Sequence, residues 1–398
     1  MRRADVLTDG TNRAAAAAWV GRISLIAVAT ALAGCAPFAG RQTTGISQPT
    51  TTVQAAEWTD GIMLPAGQRA AVLVLDKTGW ILTRTLATDE LLLSAVSLSD
   101  GGTRTALLKG IAPGSVGAGL ASDGIGHLWV TIGQEVVRVD EPGGAIRHWA
   151  LPEPPPDAAP SDENPGAGNA EAAAWDRLGD ALLFVRNWDH RLYRFDPATG
   201  TVSVAADLPI TTSYISRLTI GTDGSIEVTG SRSDSVAFAP AVVRVPTGSG
   251  AFDVRDNVVA VCSGPSGFSE LDSAGDVNVV SSTTRQLGNL VPMARSNVPF
   301  GCDPQGNVFA ITVADGLVNV GRLSPTGSLS TMRLALTQTG PIQGLSGAVS
   351  PYQWVDPRLV AVLPDGDGGV WLVSESGTQS VEDLQPGYPS LWRATFPP

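Results

Sequence analysis

The sequence predicts an all-β chain folded as a single β-propeller with seven four-stranded blades. Two short signatures alternate along the chain, and each contains a tight turn. Copies of the first signature lie about 32–62 residues apart, and a four-stranded blade takes roughly 40–50 residues. With 45 Gly and 28 Pro, turns should be many and helices few. A β-sandwich with coincidental turns is the alternative.

The first signature is Asp-x-x-Gly followed by an apolar strand. Its clear copies start at Asp123, Asp303 and Asp365, its weaker copies at Asp76, Asp176 and Gly221, and a degenerate copy near Asp253. The Asp side chain can accept bonds from the turn backbone, and Gly supplies positive φ. Aromatic residues recur in the strands that follow, at Trp80, Trp129, Phe309 and Trp371. They are expected to pack between neighbouring blades.

The second signature is an apolar-Arg-apolar strand that runs into a turn. Its copies are Val137–Gly143, Tyr193–Gly200 and Gly321–Gly327, with looser copies at Leu98–Gly101, Val243–Pro246 and Leu271–Gly275. In an antiparallel blade these turns share one face of the disk with the first signature. The long connections should therefore lie on the opposite face, at Ala150–Trp175, Val279–Gly301 and Met332–Leu363. The first is rich in Pro and acidic residues and is expected to be mobile.

Long loops on a rigid scaffold are common binding sites. Aromatic and Arg side chains in or near these connections are the candidate binding residues, since both types are enriched in interfaces. They are Tyr214, Arg217, Arg295, Asn297, Tyr352, Trp354 and Arg358. An ordinary solvated rim is the alternative interpretation.

The N-terminus is typical of an export signal over residues 1–34. Its apolar stretch, Ile23–Gly34, is too short to span a bilayer as a stable helix. The sequence Leu-Ala-Gly-Cys ending at Cys35 resembles the bacterial lipobox, which implies lipidation of Cys35 and anchoring on the extracytoplasmic side of the membrane. An ordinary secretory signal with a chance cysteine is the alternative.

Residues 35–56 have little to bury and are expected to form a flexible tether, followed by the propeller over residues 57–398. The segment Glu57–Leu64 is a candidate outer strand that closes the ring against the last blade. Besides Cys35 the chain has two cysteines, Cys262 and Cys302. Export favours a disulfide between them, although two buried free thiols remain an alternative.

The net charge of −12 argues against a nucleic-acid partner and against broad adhesion to anionic lipid. A monomer is expected, held to the membrane by its lipid. Its partner would be an envelope protein, a peptide or a glycan.

The unit DGIGHLWVTIGQEVVRVDEPGGAIRHWALP (123–152) and the weaker unit at 303–332 resemble the virginiamycin B (streptogramin) lyase family. The resemblance implies a propeller and a magnesium-assisted elimination that uses histidines and a glutamate late in the chain. This sequence has His127, His148 and His190 and no histidine after them. The catalytic histidines of that family therefore have no counterpart here.

Other chemistry has weak support in the sequence. Asp189-His190-Arg191 places a carboxylate beside a histidine, but adjacent strand residues point to opposite faces. The sequence Asp365-Gly-Asp-Gly suggests a cation site, although it is also a copy of the first signature. A binding scaffold without cofactor is therefore the first interpretation. A lyase- or lactonase-type enzyme with Mg²⁺ or Ca²⁺ in the channel is the alternative.

Overall fold

Short antiparallel strands make up nearly all the regular structure in the computed structural model of this chain. The structure describes residues 51–54, 62, 64–65, 67–75, 77–85, 88–111, 118–140, 144–161, 166–212, 217–232, 239–246, 250–280, 284–290, 299–314, 317–333, 359–374 and 391–396. Within these ranges no helix is long and apolar enough to cross a membrane.

The strands form seven sheets, and each sheet is one blade of a propeller, which confirms the predicted fold class. Apart from β1 (Thr51–Gln54), the strands of blades 1 to 3 are β2 (Gln68–Leu75), β3 (Thr78–Arg84), β4 (Leu91–Ser97) and β5 (Thr103–Leu108); β6 (Ala118–Ser122), β7 (Leu128–Ile132), β8 (Glu135–Val139) and β9 (Ile146–Ala150); and β10 (Ala170–Asp176), β11 (Ala181–Arg186), β12 (Arg191–Asp196) and β13 (Thr201–Asp207).

Blades 4 to 7 continue the same order from inner to outer strand. Their strands are β14 (Leu218–Ile220), β15 (Ile226–Ser231), β16 (Pro240–Val245) and β17 (Asp253–Asp256); β18 (Val258–Gly264), β19 (Gly267–Asp272), β20 (Asp276–Val280) and β21 (Thr284–Asn289); β22 (Phe300–Cys302), β23 (Val308–Ala314), β24 (Leu317–Leu323) and β25 (Leu329–Arg333); and β26 (Leu359–Pro364), β27 (Gly369–Ser374) and β28 (Leu391–Thr395).

The seven inner strands close a ring. Each packs against the inner strand of the next blade, and β26 of the last blade packs against β2 of the first. The N-terminal segment also joins the last blade, because the amide of Ile62 donates to the carbonyl of Leu391 at 2.6 Å and the amide of Leu391 donates back at 3.1 Å. Ile62 lies in the segment predicted to supply the outer strand there, of which residues 57–61 and 63 are outside the described ranges.

The predicted tether includes four residues that the structure places in a strand. Thr51–Gln54 pair in parallel with β25 at the outer edge of blade 6. The remainder of the tether, the export signal and Cys35 lie outside the described residues.

Blade 5 corrects two details of the repeat. Asp253 does not start a first signature, because it begins β17 at the outer edge of blade 4. The first turn of blade 5 is formed by Pro265 and Ser266, which lack the signature Asp. Leu271–Gly275, predicted as a second signature, instead contains the turn between the second and third strands of blade 5.

The signature Asp residues organise their turns as predicted. One carboxylate oxygen of Asp123 accepts from the amides of Ile125 (2.9 Å) and His127 (3.1 Å). Asp303 and Asp365 repeat the pattern with amides two and four residues on. The carboxylates of Asp123, Asp303 and Asp365 are therefore occupied by hydrogen bonds that stabilise their turns.

The signature aromatics pack at blade interfaces. Trp129 of blade 2 is 1% exposed, and its ring centroid lies 5.4 Å from Trp175 of blade 3. Trp371 of blade 7 donates from Nε1 to the carbonyl of Leu98 in blade 1, at 2.9 Å. Large apolar faces are thus buried between blades, and the indole N–H of Trp371 finds its partner across such an interface.

Cys262 and Cys302 form a disulfide in the structure, with their Cα atoms 5.6 Å apart. Cys262 lies on β18 and Cys302 on β22, so the bond joins the inner strands of blades 5 and 6.

Candidate binding face

The two faces of the disk differ in their connections. The tight-turn face carries the turns between first and second strands and between third and fourth strands. The long-connection face carries the second-to-third turns and the links from one blade to the next. The first long link covers residues 151–169, between β9 and β10. The second is shorter than predicted, because β21 takes up residues 284–289, and the link is 290–299.

The described part of the first link is hydrogen-bonded to side chains of blade 3, and its predicted mobility stays a prediction. Arg186, at the end of β11, is 1% exposed. Its Nη2 donates to the carbonyl of Pro152 at 2.8 Å, and its Nη1 donates to the carbonyl of Gly168 at 2.9 Å and to Gln134 at 2.8 Å. The guanidinium also lies over the Tyr193 ring, 5.1 Å from its centroid.

A second set of charges holds the middle of this link. The guanidinium of Arg191 donates to Asp157 at 2.9 Å and to the buried Asp189 at 2.9 Å. Asp189 also accepts from the hydroxyl of Tyr193 at 2.5 Å, and burial together with this bond raises the pKa of Tyr193. The Asp189 carboxylate therefore positions Arg191, which in turn fixes the link.

His190 does not form a catalytic pair with Asp189. Its Nδ1 lies 3.7 Å from Asp189 and 3.7 Å from Asp157, beyond a normal hydrogen bond. His127 bonds Asp123 at 2.6 Å within a turn on the tight-turn face, and His148 contacts Glu135 at 3.2 Å. The three histidines thus lie apart, each beside carboxylates of its own surroundings.

Glu171, the second residue of β10, is a buried carboxylate that the sequence interpretation missed. It is 3% exposed, and within the described part of the chain neither carboxylate oxygen has a hydrogen-bond donor. Burial raises its pKa to about 8. A single acid in the alanine-rich run AEAAAW was the available signal.

Only one of the predicted binding residues lies in the described ranges. Arg217 immediately precedes β14, and its amide donates to Thr229 at 2.7 Å. Burial lowers the pKa of its guanidinium. Tyr214, Arg295, Asn297, Tyr352, Trp354 and Arg358 lie outside the described residues. The structure therefore leaves the predicted set untested as a group.

At the suggested cation site, the carboxylates of Asp365 and Asp367 already bind turn amides or basic side chains. Asp365 accepts from Arg393 Nε at 2.8 Å as well as from two turn amides. Asp367 pairs with Lys77 at 2.8 Å. Among the described residues no cluster of three or more His, Cys, Asp or Glu side chains has the geometry of a metal site.

A buried ion network joins blades 4 and 5. Arg255 on β17 donates from Nε to Glu270 at 3.0 Å and from Nη2 to Glu227 at 2.5 Å. Arg244 also donates to Glu227, at 2.7 and 3.0 Å, and lies over the Phe268 ring. Burial, reinforced by the neighbouring Glu227, raises the pKa of Glu270 to about 7.

Comparisons with known proteins place the chain by fold. YCF48, solved with a D1 peptide, is 12% identical with a TM-score of 0.52, covering 88% of this chain and 100% of its own. The propeller domain of the trilobed protease from Pyrococcus furiosus is 10% identical with a TM-score of 0.46, covering 82% and 94%. Regucalcin from Agrobacterium tumefaciens is 12% identical with a TM-score of 0.42, covering 70% and 89%.

No family model matches the sequence, and no curated protein matches it. At 12% identity, the similarity to YCF48 shows a shared fold. The likeness to the streptogramin lyases accordingly stays a resemblance of repeat pattern, and the chain is a β-propeller of seven blades.

Proposed function

We propose that this chain is an exported, lipid-anchored propeller that binds a peptide segment of a cell-envelope protein on its long-connection face. The lipid would be carried by Cys35, after removal of residues 1–34. The anchor keeps the propeller at the membrane, and the propeller supplies the recognition.

The arrangement of the first long link carries the proposal. Its ends are fixed by Arg186 and its middle by Arg191, while Pro152, Glu153 and Pro156 stay exposed. A loop that is already ordered loses less conformational entropy when it binds. Burying a guanidinium costs free energy. Because this chain nevertheless buries an arginine to hold the link, the fixed conformation of the link favours a recognition role.

The fold comparison supports a peptide as the ligand class. YCF48 is a propeller that was solved with a bound peptide, and the similarity covers its whole chain. A peptide also suits the chemistry of this face, which offers exposed proline-rich backbone beside buried charged groups.

Site-specific photocrosslinking in native envelopes tests the proposal. A photoreactive amino acid at Glu153 reports on the long-connection face, and the same residue at Leu178, which is 83% exposed, reports on the tight-turn face. We expect a discrete protein adduct from position 153 and none from position 178. Adducts from position 178 alone would contradict the assigned face, and adducts from neither would contradict protein binding.

A further inference from the structure

Glu171 differs from every other buried carboxylate in the described part of the chain. Six others accept hydrogen bonds from side chains or amides: Asp123, Asp189, Glu227, Glu270, Asp303 and Asp365. For Glu171 neither oxygen has a donor among the described residues. Leaving a buried polar group unpaired costs free energy, so its retention calls for a functional reason.

Glu171 lies in a β-bulge at the start of the inner strand of blade 3. The pairing of β10 with β11 shifts between Ala170 and Ala173, so that Glu171 and Ala172 lie opposite Val185 alone. Similar bulges occur at the same end of the inner strands in blades 1, 5 and 7, where the extra residues are Ala70, Val259 and Val360. Glu171 is therefore one of the two residues of the bulge in blade 3, and bulges are known to redirect side chains near sites.

The backbone at Glu171 is fixed by blade 2. The hydroxyl of Thr131 donates to the Glu171 carbonyl at 2.6 Å, and the amide of Ala170 donates to Gly133 at 2.7 Å. A side chain at Gly119 would overlap the Glu171 carbonyl, so the glycine permits this close approach. The backbone of Glu171 is thus fixed at the long-connection end of an inner strand.

Among the residues that the structure describes, none forms an ion pair with Glu171. On the elements packed against β10, the charged side chains are Arg186 at the end of β11 and Arg217 next to β14. Arg186 is committed to the link carbonyls and Gln134, and neither arginine hydrogen-bonds the Glu171 carboxyl. Because burial raises its pKa to about 8, Glu171 is mainly protonated at neutral pH in the free chain.

We propose that Glu171 receives a cationic side chain, the ammonium of Lys or the guanidinium of Arg, from the peptide that binds the long-connection face. This inference rests on the proposed function and names the group that the site selects. On binding, the carboxylic acid releases its proton to solvent and the resulting carboxylate pairs with the cation. A charged partner of this kind compensates the buried carboxylate, which a neutral side chain does not.

Small cations test the site directly. Carboxyl ¹³C NMR of the mature chain labelled in Glu follows the ionisation of Glu171, with n-butylguanidinium and n-butylammonium chloride as probes and n-butanol as the neutral control. We expect either cation to lower the titration midpoint of Glu171 by at least one pH unit and butanol to leave it unchanged. A midpoint insensitive to both cations, or a response equal to that with butanol, would overturn the proposal.

Photocrosslinking from position 153 separates this inference from the proposed function. We expect Glu171→Gln to reduce the adduct at least tenfold, since the amide cannot pair with a cation as an anion does. Glu90→Gln, an exposed acid between the second and third strands of blade 1, is the matched control and should retain it. Equal adducts in both variants would overturn the cation site and leave peptide binding intact, whereas absence of adducts in the wild type would contradict the proposed function.

Discussion

Arg186 donates a hydrogen bond to the backbone carbonyl of Pro152, which lies 34 residues earlier in the chain, at 2.8 Å. The same guanidinium bonds the carbonyl of Gly168 at the other end of the link. One buried side chain therefore fixes both ends of a 19-residue connection (residues 151–169) on the long-connection face.

Replacing Arg186 should release this link. Arg186→Leu leaves the Pro152 and Gly168 carbonyls without their donor and is expected to lower the free energy of unfolding by about 3 kcal/mol. Hydrogen exchange and proteolytic cleavage should both increase within residues 151–169. Arg147→Leu, which alters an exposed arginine on β9, is the control. If exchange in the link is the same in both variants, Arg186 does not hold it.

Glu171 should make stability decrease as pH rises. Its pKa is about 8 in the folded chain against 4.5 without burial, so the folded state keeps a proton that the unfolded state has lost. Its stabilising contribution is full below pH 4.5 and is lost by about pH 8, a change of roughly 5 kcal/mol at about 1.4 kcal/mol per pKa unit.

Denaturant unfolding between pH 4.5 and 8.5 measures this effect. We expect Glu171→Gln to flatten the profile and to be more stable than the wild type at pH 8. Glu153→Gln, an exposed acid in the first link, should reproduce the wild-type profile. A wild-type slope retained in Glu171→Gln would show that this carboxyl is ionised or solvated in the folded chain.

The Glu227–Arg255–Glu270 network gives a second pH effect, at blades 4 and 5. Because the pKa of Glu270 is raised to about 7, its contribution is present at acidic pH and is lost as pH rises through 7. Glu270→Gln can still accept from Arg255 and should be at least as stable as the wild type at pH 8. Arg255→Ala leaves the buried Glu270 without its cationic partner and should cost about 3–5 kcal/mol.

Unfolding of these variants at pH 5 and pH 8 checks the network. The effects of Glu270→Gln and Glu171→Gln should add in the double variant, because the residues lie in different blades. Destabilisation by Glu270→Gln at pH 8 comparable to that of Arg255→Ala would mean that the anionic form of Glu270 is required.

The sequence predicted those features that each unit encodes locally. The Asp123, Asp303 and Asp365 turns bond their own backbones, and Trp129 lies on a short strand whose burial follows from the repeat. The first turn of blade 5 was placed wrongly because Pro265 and Ser266 form it without an Asp. The burial of Glu171 and the contacts of Arg186 depend on a bulge and on a neighbouring blade, which a single strand pattern does not reveal.

Lipidation of Cys35 stays a prediction from the sequence. Cys35→Ala should remain unprocessed and should not incorporate a metabolic fatty-acid probe, since the thiol is the acceptor. Cys262→Ser tests specificity, because it should be labelled as the wild type is. Label retained in Cys35→Ala would rule out this residue as the lipid site.

The Cys262–Cys302 bond should determine how blades 5 and 6 withstand unfolding. It closes a loop of 40 residues between two inner strands, which by the chain-entropy relation contributes roughly 4 kcal/mol. Adding a reductant should lower the unfolding midpoint of the wild type, and Cys262→Ser/Cys302→Ser should unfold at that lower midpoint with or without reductant. Thiol counting on the denatured, unreduced chain is the direct measurement, and because Cys35 is expected to be lipidated, no reactive thiol should be found. Two reactive thiols would show that Cys262 and Cys302 are unpaired in the native protein, and the double variant would then match the wild type in stability.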